Sequence, residues 1–598
     1  MVYESSYETG RKPFKPDLQR GKWEKPTDFI FACCGLALKL DIFVISYWLY
    51  FDMGLFGILP YYLYMALYMV PLLVIHSFMG QFSSSGFISA FRLSPFFKGM
   101  GYISIFLSVA ALLFYAIFAI VPLIYIVHSL RPTMPWSCEA MAKMKNVSTM
   151  CNVNQSDADV INSLADNSSE VMVEYAAVHI PSVLFFKQHF QMNVTDMMIE
   201  ETSITMSWTL AGLSIIIWGV IAGIFKYCSD AATFGKLLRY MILTTLGIML
   251  LCLVRFLFLP GALDGLLHYV KPHRDGMVGG TFTMVIVVLQ AFGSGWGSIM
   301  SLASFNDFKT NIMGYSWVIA FGQTLSYILF GMVSFILHHY FRSMSTHTYD
   351  LFVEANWVLY LSSASAMAEM EFANLWTILY YSMLLIASLV VIITQIFTVL
   401  TSLFDEFEML RAQKERTTFI FIGLLAFFSL PFCTNHGFLA FSAVSVDSLV
   451  TYSVMHFMLI MAVLWIYGRE RFQRDIEFML GQPFASWKIF ILRFIAPLFL
   501  FYSLLVGLWM AIMEHIYQST PLMFISFILV ILPILFIPGY GIYITYENTG
   551  TFYNRIRRAC RPTDWYPVEM ENRQQYEETL GNSDITHQLY EVTEEEVN

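Results

Sequence analysis

Long apolar stretches separated by short polar ones make up most of the chain. About twelve of these stretches have 18 or more residues, which is enough for a helix to cross a bilayer. The pattern predicts an all-α polytopic membrane protein with a transmembrane region at residues 29–546. The approximate limits of the predicted spans, numbered 1 to 12, are 29–50, 56–79, 101–128, 204–225, 234–258, 280–304, 314–339, 374–404, 417–434, 444–467, 486–512 and 521–546.

The composition agrees with a membrane protein and removes other classes. Of the 598 residues, 57% are hydrophobic and only 13% are charged. The lipid bilayer is therefore the expected surrounding, and nucleic acid is not an expected partner. An enzyme is not expected either, because the sequence has no nucleophile elbow, phosphate-binding loop or zinc-ligand spacing.

Basic residues outside the spans indicate the orientation of the protein. Residues 1–28 form a polar segment that contains Arg11, Lys12, Lys15, Arg20, Lys22 and Lys25. The positive-inside rule places this segment in the cytoplasm. An even number of spans returns residues 547–598 to the same side, so we expect a plasma-membrane protein with both termini cytoplasmic. Residues 560–598 are acidic and polar, which predicts a disordered tail.

The longest predicted loop, residues 131–203 between spans 3 and 4, falls on the extracellular side. It contains Cys138 and Cys151, and two cysteines this close in an oxidising compartment favour a disulfide. The other six cysteines are expected to be reduced. Four sequons predict that the loop is glycosylated; they begin at Asn146, Asn154, Asn167 and Asn193.

Two opposite charges lie two residues apart inside span 1, Lys39 and Asp41. A charge in the middle of a membrane helix costs about 3 kcal/mol on insertion scales, so such residues are rarely accidental. The two could pair with each other, or face protein and only hold the helix in place, but residues at i and i+2 do not share a face of a regular helix. A broken helix that lines a cavity would accommodate both, as in transporter binding sites.

Span 6 has a second irregular feature, three glycines within five residues at Gly293, Gly295 and Gly297. Each weakens a helix by roughly 1 kcal/mol relative to alanine. Gly293 and Gly297 also form a GxxxG pattern, which would let two intact helices pack closely. Interruptions at corresponding positions of two halves indicate the central site of a transporter. Because span 1 carries the other interruption, we expect an unwound segment in span 6.

Short motifs extend along nearly the whole chain, and each alone is weak. They are Arg20-Gly-Lys-Trp23, Pro60-Tyr61, Gly80-Gln81-Phe82, Lys98-Gly99-Met100-Gly101, Leu259-Pro260-Gly261-Ala262, Ala303-Ser304-Phe305-Asn306, Asp405-Glu406-Phe407 and Trp465-Ile466-Tyr467-Gly468. In order and spacing the series resembles the neurotransmitter:sodium symporter family. Trp136 and the two loop cysteines also resemble the start of that family's disulfide-containing loop.

The resemblance implies two inverted five-helix repeats followed by two further helices, with substrate and ions bound midway between spans 1, 3, 6 and 8. It places Tyr115 on the tyrosine that caps the substrate and Tyr61 on a chloride-contacting tyrosine. Arg20 and Asp405 fall on the cytoplasmic gate. The positions expected to line the substrate site are Ala37, Lys39, Asp41, Tyr115, Gln290, Phe292, Gly293, Gly295, Trp296 and Gln395.

Several positions depart from the family pattern where the family binds sodium. Ile42 stands at the position of a sodium-binding asparagine, and Ala291 at that of a hydroxyl ligand. Val390 and Val391 replace the small polar residues of the second sodium site, and Gln323 replaces the asparagine of span 7. Sodium is a hard cation that prefers oxygen ligands. Both sodium sites are therefore expected to be degenerate, and no metal site is assigned.

Other residues could take over part of the coupling. The ammonium of Lys39 could lie where an ion's charge is needed, and Asp41 and His76 are candidate proton carriers. For His76 the favoured alternative is a packed helix–helix histidine with one hydrogen bond. Sodium and chloride, or a proton, are the candidate coupling ions, and no other cofactor is expected. The ion-coupling candidates are Lys39, Asp41, Tyr61, His76 and Gln323.

These observations predict a secondary transporter of a small amino-acid-like or related organic solute, working by alternating access with weakened or replaced sodium and chloride coupling. Family members that bind monoamines have an aspartate at the position of Lys39, so a monoamine is not the expected substrate. The alternative is a non-transporting sensor or scaffold. Loss of the ion ligands favours this alternative, whereas Arg20, Asp405 and Tyr115 favour transport. A homo-oligomer and a cytoplasmic partner of the C-terminal tail are compatible with the sequence.

Overall fold

The computed structural model of the protein describes residues 14–17, 19–40, 42–43, 53–141, 180–190, 204–272, 277–344, 355–435, 437, 449–516 and 528–581. These residues contain helices and no β-strand, and eleven of the helices are long and apolar enough to cross a membrane. Spans 2 to 12 are thereby confirmed. Their limits are Phe56–Ser83, Pro95–Ser129, Trp208–Tyr227, Ala231–Phe256, Gly280–Ala303, Ile312–Phe341, Ala373–Glu406, Lys414–Cys433, Leu449–Leu480, Ser486–Met510 and Ile528–Glu547.

Span 1 is interrupted, as its paired charges predicted. Its first helix, Pro26–Leu36, begins with a proline at a position where no backbone donor is needed, and it stops after 11 residues. A turn at residues 37–38 follows, and Lys39 is not helical. The buried carboxylate of Asp28 in the first turn lies 3.2 Å from Arg239 Nε of span 5. This ion pair fixes the start of span 1 against its neighbour.

Span 6 is also broken in the middle. It consists of the helix Met277–Gln290, the short segment Ala291–Trp296 and the helix Ser298–Ala303. Phe292 has a φ of 60° and Gly293 a φ of 54°, in the left-handed region that interrupts a right-handed helix. The predicted unwound segment is confirmed. A glycine is also needed for close packing, since a Cβ on Gly297 would lie 2.6 Å from Cβ of Phe87.

The centre of the bundle is formed by spans 1, 3, 6 and 8. In span 6, 93% of the most apolar 18-residue stretch is buried inside the protein, and in span 8 the share is 83%. In spans 5, 9 and 12 the share is only 28%, which leaves their outer faces for lipid. Span 8 packs against span 3 and against the first helix of span 1. The two broken helices therefore lie beside the most enclosed part of the molecule.

The loop between spans 3 and 4 is described only in part, and its helix contacts a helix from the loop between spans 7 and 8. The helices Pro181–Phe190 and Ala355–Ala368 pack together, and the backbone N–H of Ser182 donates to Ser365 Oγ at 3.0 Å. Cys138 is disulfide-bonded, and its pairing with Cys151 stays a prediction because Cys151 lies outside the described residues. The four sequons also lie outside them. The other six cysteines are free, as expected.

The C-terminal segment is ordered as far as Gly581, so the prediction of a disordered tail is wrong for residues 560–581. Two helices, Phe552–Cys560 and Met570–Gly581, follow span 12. Between them, Trp565 stacks on Phe82 of span 2 with ring centroids 5.1 Å apart. The hydroxyl of Tyr576 donates to the buried carboxylate of Asp475 at 3.0 Å. The acidic composition of the segment indicated disorder, but a few aromatic residues among the charged ones make these contacts. Residues 582–598 lie outside the described part.

Candidate functional site

The break in span 1 leaves Lys39 in the interior of the bundle. Lys39 is fully buried, and its Nζ lies 6.0 Å from the ring centroid of Tyr115 in span 3. A cation over an aromatic face is attracted by the ring's quadrupole, an interaction worth about 2 kcal/mol when desolvated. The structure therefore brings together two of the residues predicted for the substrate site. Asp41 lies outside the described residues.

The unwound segment of span 6 packs against span 3 and against the first helix of span 1. Gln290 immediately precedes it and is 4% exposed, while Phe292 in the segment and Ala37 in the turn of span 1 are fully buried. Gly293, Gly295 and Trp296 belong to the same segment. Predicted positions from spans 1, 3 and 6 thus meet in one region. The side chain of Trp296 is not among the described ones.

Gln395 of span 8 is the most unusual polar residue of this central region. Its side chain is fully buried, and neither amide atom has a hydrogen-bond partner. Leaving a buried donor or acceptor unpaired costs about 1–3 kcal/mol. An amide without protein partners is suited to binding a ligand with complementary hydrogen-bonding groups.

The positions predicted for the second sodium site carry hydrocarbon side chains. Val390 and Val391 are fully buried, and a Cβ on Gly35 of span 1 would lie 2.8 Å from Cγ1 of Val390. The valine side chain therefore occupies the space between spans 1 and 8. Ile42 and Ala291, at positions predicted for the first sodium site, are also fully buried and offer no side-chain oxygen. What these residues contribute is apolar packing.

A polar cluster lies between spans 2 and 7. Gln323 is fully buried, and its Nε2 donates to the hydroxyl of Tyr327 at 2.9 Å, while its Oε1 has no hydrogen-bond partner. The hydroxyl of Tyr61 lies near the side chain of Thr324 without the geometry of a hydrogen bond, and is likewise unpaired. Tyrosine hydroxyls and an amide N–H₂ are donors that suit an anion.

His76 has the packed environment of the favoured alternative. It is 1% exposed, and its Nδ1–H donates to the backbone carbonyl of Leu72 at 3.0 Å. Its ring lies edge-on to that of His456 with centroids 6.4 Å apart, and His456 Nδ1 is 2.8 Å from the hydroxyl of Tyr68. The sequence analysis did not single out His456, because a lone histidine in an apolar span gives no signal of a distant partner.

The two predicted gate residues form an ion pair. Arg20 Nη1 lies 2.5 Å from Asp405 Oδ2, and the two side chains are only 9% and 3% exposed. Arg20 also donates to the carbonyl of Ser84 at 2.8 Å and to the hydroxyl of Ser304, and its guanidinium lies 4.4 Å from the ring centroid of Phe305. The pair thus ties the N-terminal segment to spans 6 and 8.

A seam of hydroxyl groups joins spans 6 and 8 above this ion pair, and sequence analysis missed it. Ser301 Oγ lies 2.7 Å from Ser402 Oγ, and Ser298 Oγ lies 3.2 Å from Thr398 Oγ1. Ser402 Oγ also accepts the backbone N–H of Phe87 at 3.2 Å. The spacing of three or four residues within each span was the available signal, because it places the hydroxyls on one face of each helix.

Comparison with known proteins gives the same family as the motifs. Residues 20–548 match the sodium:neurotransmitter symporter family along nearly the whole chain. The chain belongs to this family. It is a family of multi-pass membrane transporters, which agrees with the eleven apolar helices long enough to cross a membrane.

Relatives in this family carry different substrates. The human sodium- and chloride-dependent neutral and basic amino acid transporter B(0+) is 24% identical, over 96% of this chain and 94% of that protein. The Xenopus laevis sodium- and chloride-dependent glycine transporter 1 is 24% identical, over 93% and 90%. The Caenorhabditis elegans sodium-dependent acetylcholine transporter is also 24% identical, over 92% and 79%. Equal identity to carriers of different solutes leaves the substrate to be argued from the site.

Proposed function

We propose that the chain is a secondary active transporter that moves a small amino-acid-like or related organic solute across the plasma membrane by alternating access. Its sodium and chloride coupling is weakened or replaced, and Lys39 supplies a fixed positive charge in the central site. The observation that carries this proposal is the burial of Lys39 beside Tyr115, together with hydrocarbon at Val390 and Ala291.

The chemistry of the central region supports a solute with an anionic or hydrogen-bonding group. Lys39 offers a cation, and Gln395 offers an unpaired donor and an unpaired acceptor. A carboxylate can accept from a lysine ammonium or from an amide N–H, and charge-assisted hydrogen bonds are roughly twice as strong as neutral ones. Two of the relatives are named as amino acid or glycine transporters, and the substrates of such proteins carry a carboxylate.

Chloride and a proton are the two proposed coupling ions. The unpaired hydroxyl of Tyr61 and the N–H₂ group of Gln323 could hold chloride between spans 2 and 7. A proton could replace sodium, with Asp41 as its carrier, because a carboxylate near Lys39 can gain and lose a proton as the site opens to either side. His76 is a weaker candidate, because it is packed against His456 and hydrogen-bonded to its own helix.

Uptake measurements test the proposal. Cells expressing the chain are given labelled amino acids and amines, with sodium replaced by choline and external pH varied. Lys39→Met removes the charge at similar volume, and Lys39→Arg keeps it. We expect uptake of a carboxylate-bearing solute that persists without sodium, is lost in Lys39→Met and is partly kept in Lys39→Arg. Uptake that disappears with sodium would restore ordinary symport and contradict the role of Lys39.

The hydrocarbon at Val390, Val391 and Ala291 also favours a second candidate, a sensor or scaffold that does not transport. In that case no solute would accumulate under any ionic condition. Surface biotinylation shows whether the protein reaches the plasma membrane, so absent uptake can be separated from absent expression. Binding of a carboxylate-bearing solute without uptake would favour the sensor, and neither binding nor uptake would favour the scaffold.

A further inference from the structure

The start of span 11 carries two cations that no acidic residue of the described part of the chain neutralises. Lys488 is the third residue of the span, and Arg493 is the eighth, roughly 10 Å along the helix axis from its start. Neither side chain forms an ion pair or a hydrogen bond with any described residue, and Arg493 Nε is buried without a partner. Lysine and arginine near the end of a span reach the membrane interface, where anionic lipid headgroups can supply a counter-charge.

Aromatic rings surround both cations. Lys488 Nζ lies 5.5 Å from the ring centroid of Trp317 in span 7 and 5.6 Å from that of Trp487. The guanidinium carbon of Arg493 lies 4.1 Å from the ring centroid of Trp465 in span 10. Such contacts orient the cations, but a neutral ring does not cancel a full charge. Positive charge is therefore left over at this surface.

The surface between the two cations faces outward from the bundle. Trp487, Phe490 and Phe494 follow one another at helical spacing and are 50%, 56% and 49% exposed. By helical periodicity Lys488 and Arg493 flank this apolar stripe on opposite sides. Half-exposed tryptophan and phenylalanine beside lysine and arginine are typical of the level where lipid headgroups meet acyl chains.

This surface lies at the same end of the bundle as the Arg20–Asp405 pair. Lys488 also lies over the ring of Phe484, which packs against Phe472, and Phe472 packs against Phe78 of span 2. Phe78 is close to Trp565 of the C-terminal segment. In the proposed orientation this is the cytoplasmic end, where the bilayer leaflet carries anionic lipid.

We propose that the start of span 11 binds anionic phospholipid, with the lipid phosphate and acidic headgroup at Lys488 and Arg493 and the acyl chains along Trp487, Phe490 and Phe494. Phosphate oxygens supply the counter-charge that the described residues do not, and the guanidinium can bind them with two parallel hydrogen bonds. An acidic protein would neutralise the cations but would leave the apolar stripe exposed, so lipid fits both halves of the surface.

Reconstitution into nanodiscs of defined composition tests this inference. The full chain is placed in phosphatidylcholine alone or with increasing phosphatidylserine, and its thermal midpoint is measured. We expect the wild-type midpoint to rise with the phosphatidylserine content. The double variant Lys488→Gln and Arg493→Gln should lose most of this rise. The ratio of phosphatidylserine to phosphatidylcholine that co-purifies with the double variant should be at least about threefold lower than with the wild type. Arg416→Gln, an exposed arginine at the start of span 9, is the matched control and should respond as wild type.

Further variants and a soluble anion separate the outcomes. Lys488→Gln alone, at a half-buried site, should lose part of the lipid response if the double variant does not fold. Arg493→Lys keeps the charge and should keep most of it. An equal response to phosphatidylserine in wild type and the double variant would overturn the inference. The inference would also be overturned if inorganic phosphate in detergent raised the wild-type midpoint as much as phosphatidylserine does. That result would indicate a site for a soluble anion.

Discussion

Gly35 of span 1 and Val390 of span 8 lie so close that no side chain fits between them: a Cβ on Gly35 would be 2.8 Å from Val390 Cγ1 and 3.1 Å from Ile242 Cδ1. The sequence resemblance predicts that residue 390 stands at a position of the second sodium site. Val390 therefore contributes to helix packing, and its contact with Gly35 can be tested independently of transport.

Gly35→Ala should destabilise the protein. Alanine favours a helix over glycine by about 1 kcal/mol, but overpacking typically costs about 1–3 kcal/mol, so we expect a lower thermal midpoint. In a Val390→Ala background the obstruction is smaller, and the same substitution should be neutral or stabilising. Thermal unfolding of the four proteins in the cycle measures this coupling. Additive effects would show that Gly35 and Val390 do not press on each other.

Gln395→Leu should stabilise the empty protein and impair its function. The substitution removes two unpaired amide atoms, each of which costs about 1–3 kcal/mol, so the thermal midpoint without substrate should rise. Substrate binding should weaken because the same atoms are available to the solute. Gln81→Leu is the matched control, since that buried amide donates to the carbonyls of Phe308 and Thr310 and its loss should be destabilising. A lower midpoint in Gln395→Leu would contradict the unpaired state of the amide.

Asp405→Asn should open the inner end of the bundle. The substitution leaves the guanidinium of Arg20 buried without a counter-charge, and breaking a buried ion pair in this way costs about 3–5 kcal/mol. A cysteine placed at buried Ser301 should then react faster with a thiol reagent applied from the cytoplasm. Glu406→Gln breaks the adjacent pair with Lys98 and serves as control. Equal labelling of the two variants would argue against a special role for Asp405.

Asp17 holds the N-terminal segment against Lys414, and this contact should weaken only at acid pH. Burial raises the pKa of Asp17, but its 2.6 Å hydrogen bond to Lys414 and the charge of that lysine outweigh this, so the pKa lies below the ordinary 3.8. A carboxyl with a lowered pKa stabilises the docked state above about pH 3.8, and this contribution is lost as pH falls through the lowered value.

A spin label at residue 16 measures this detachment. Its mobility should increase below about pH 3.8 in the otherwise unmodified protein. In Asp17→Asn the label should be mobile throughout, because the neutral amide does not attract Lys414 as the carboxylate does. The same transition in both proteins would assign the change to another group.

The sequence predicted those features that are written in a single segment. Lys39 and Asp41 predicted the break in span 1, because opposite charges two residues apart do not suit an intact membrane helix. The glycines of span 6 predicted its unwound segment. The Arg20–Asp405 pair, in contrast, joins residues 385 positions apart and came only from the family resemblance.

The features that escaped prediction depend on distant partners. Asp475 and Tyr576 are 101 residues apart, and nothing local to either residue indicates the other. The unpaired state of Gln395 follows from what surrounds it in three dimensions. The same holds for Val390, whose chemistry indicated the loss of a sodium ligand but not the contact with Gly35.

The C-terminal segment has a consequence for how the protein is made. The backbone N–H of Thr563 donates to the carbonyl of Arg92 at 2.9 Å, and Trp565 and Tyr576 donate to the carboxylate of Asp475. These closing residues follow span 12 in the chain, so the contacts form only after the last span has been synthesised. A chain that lacks these residues would leave the ring of Phe82 without Trp565 and the carboxylate of Asp475 without two of its hydrogen-bond donors.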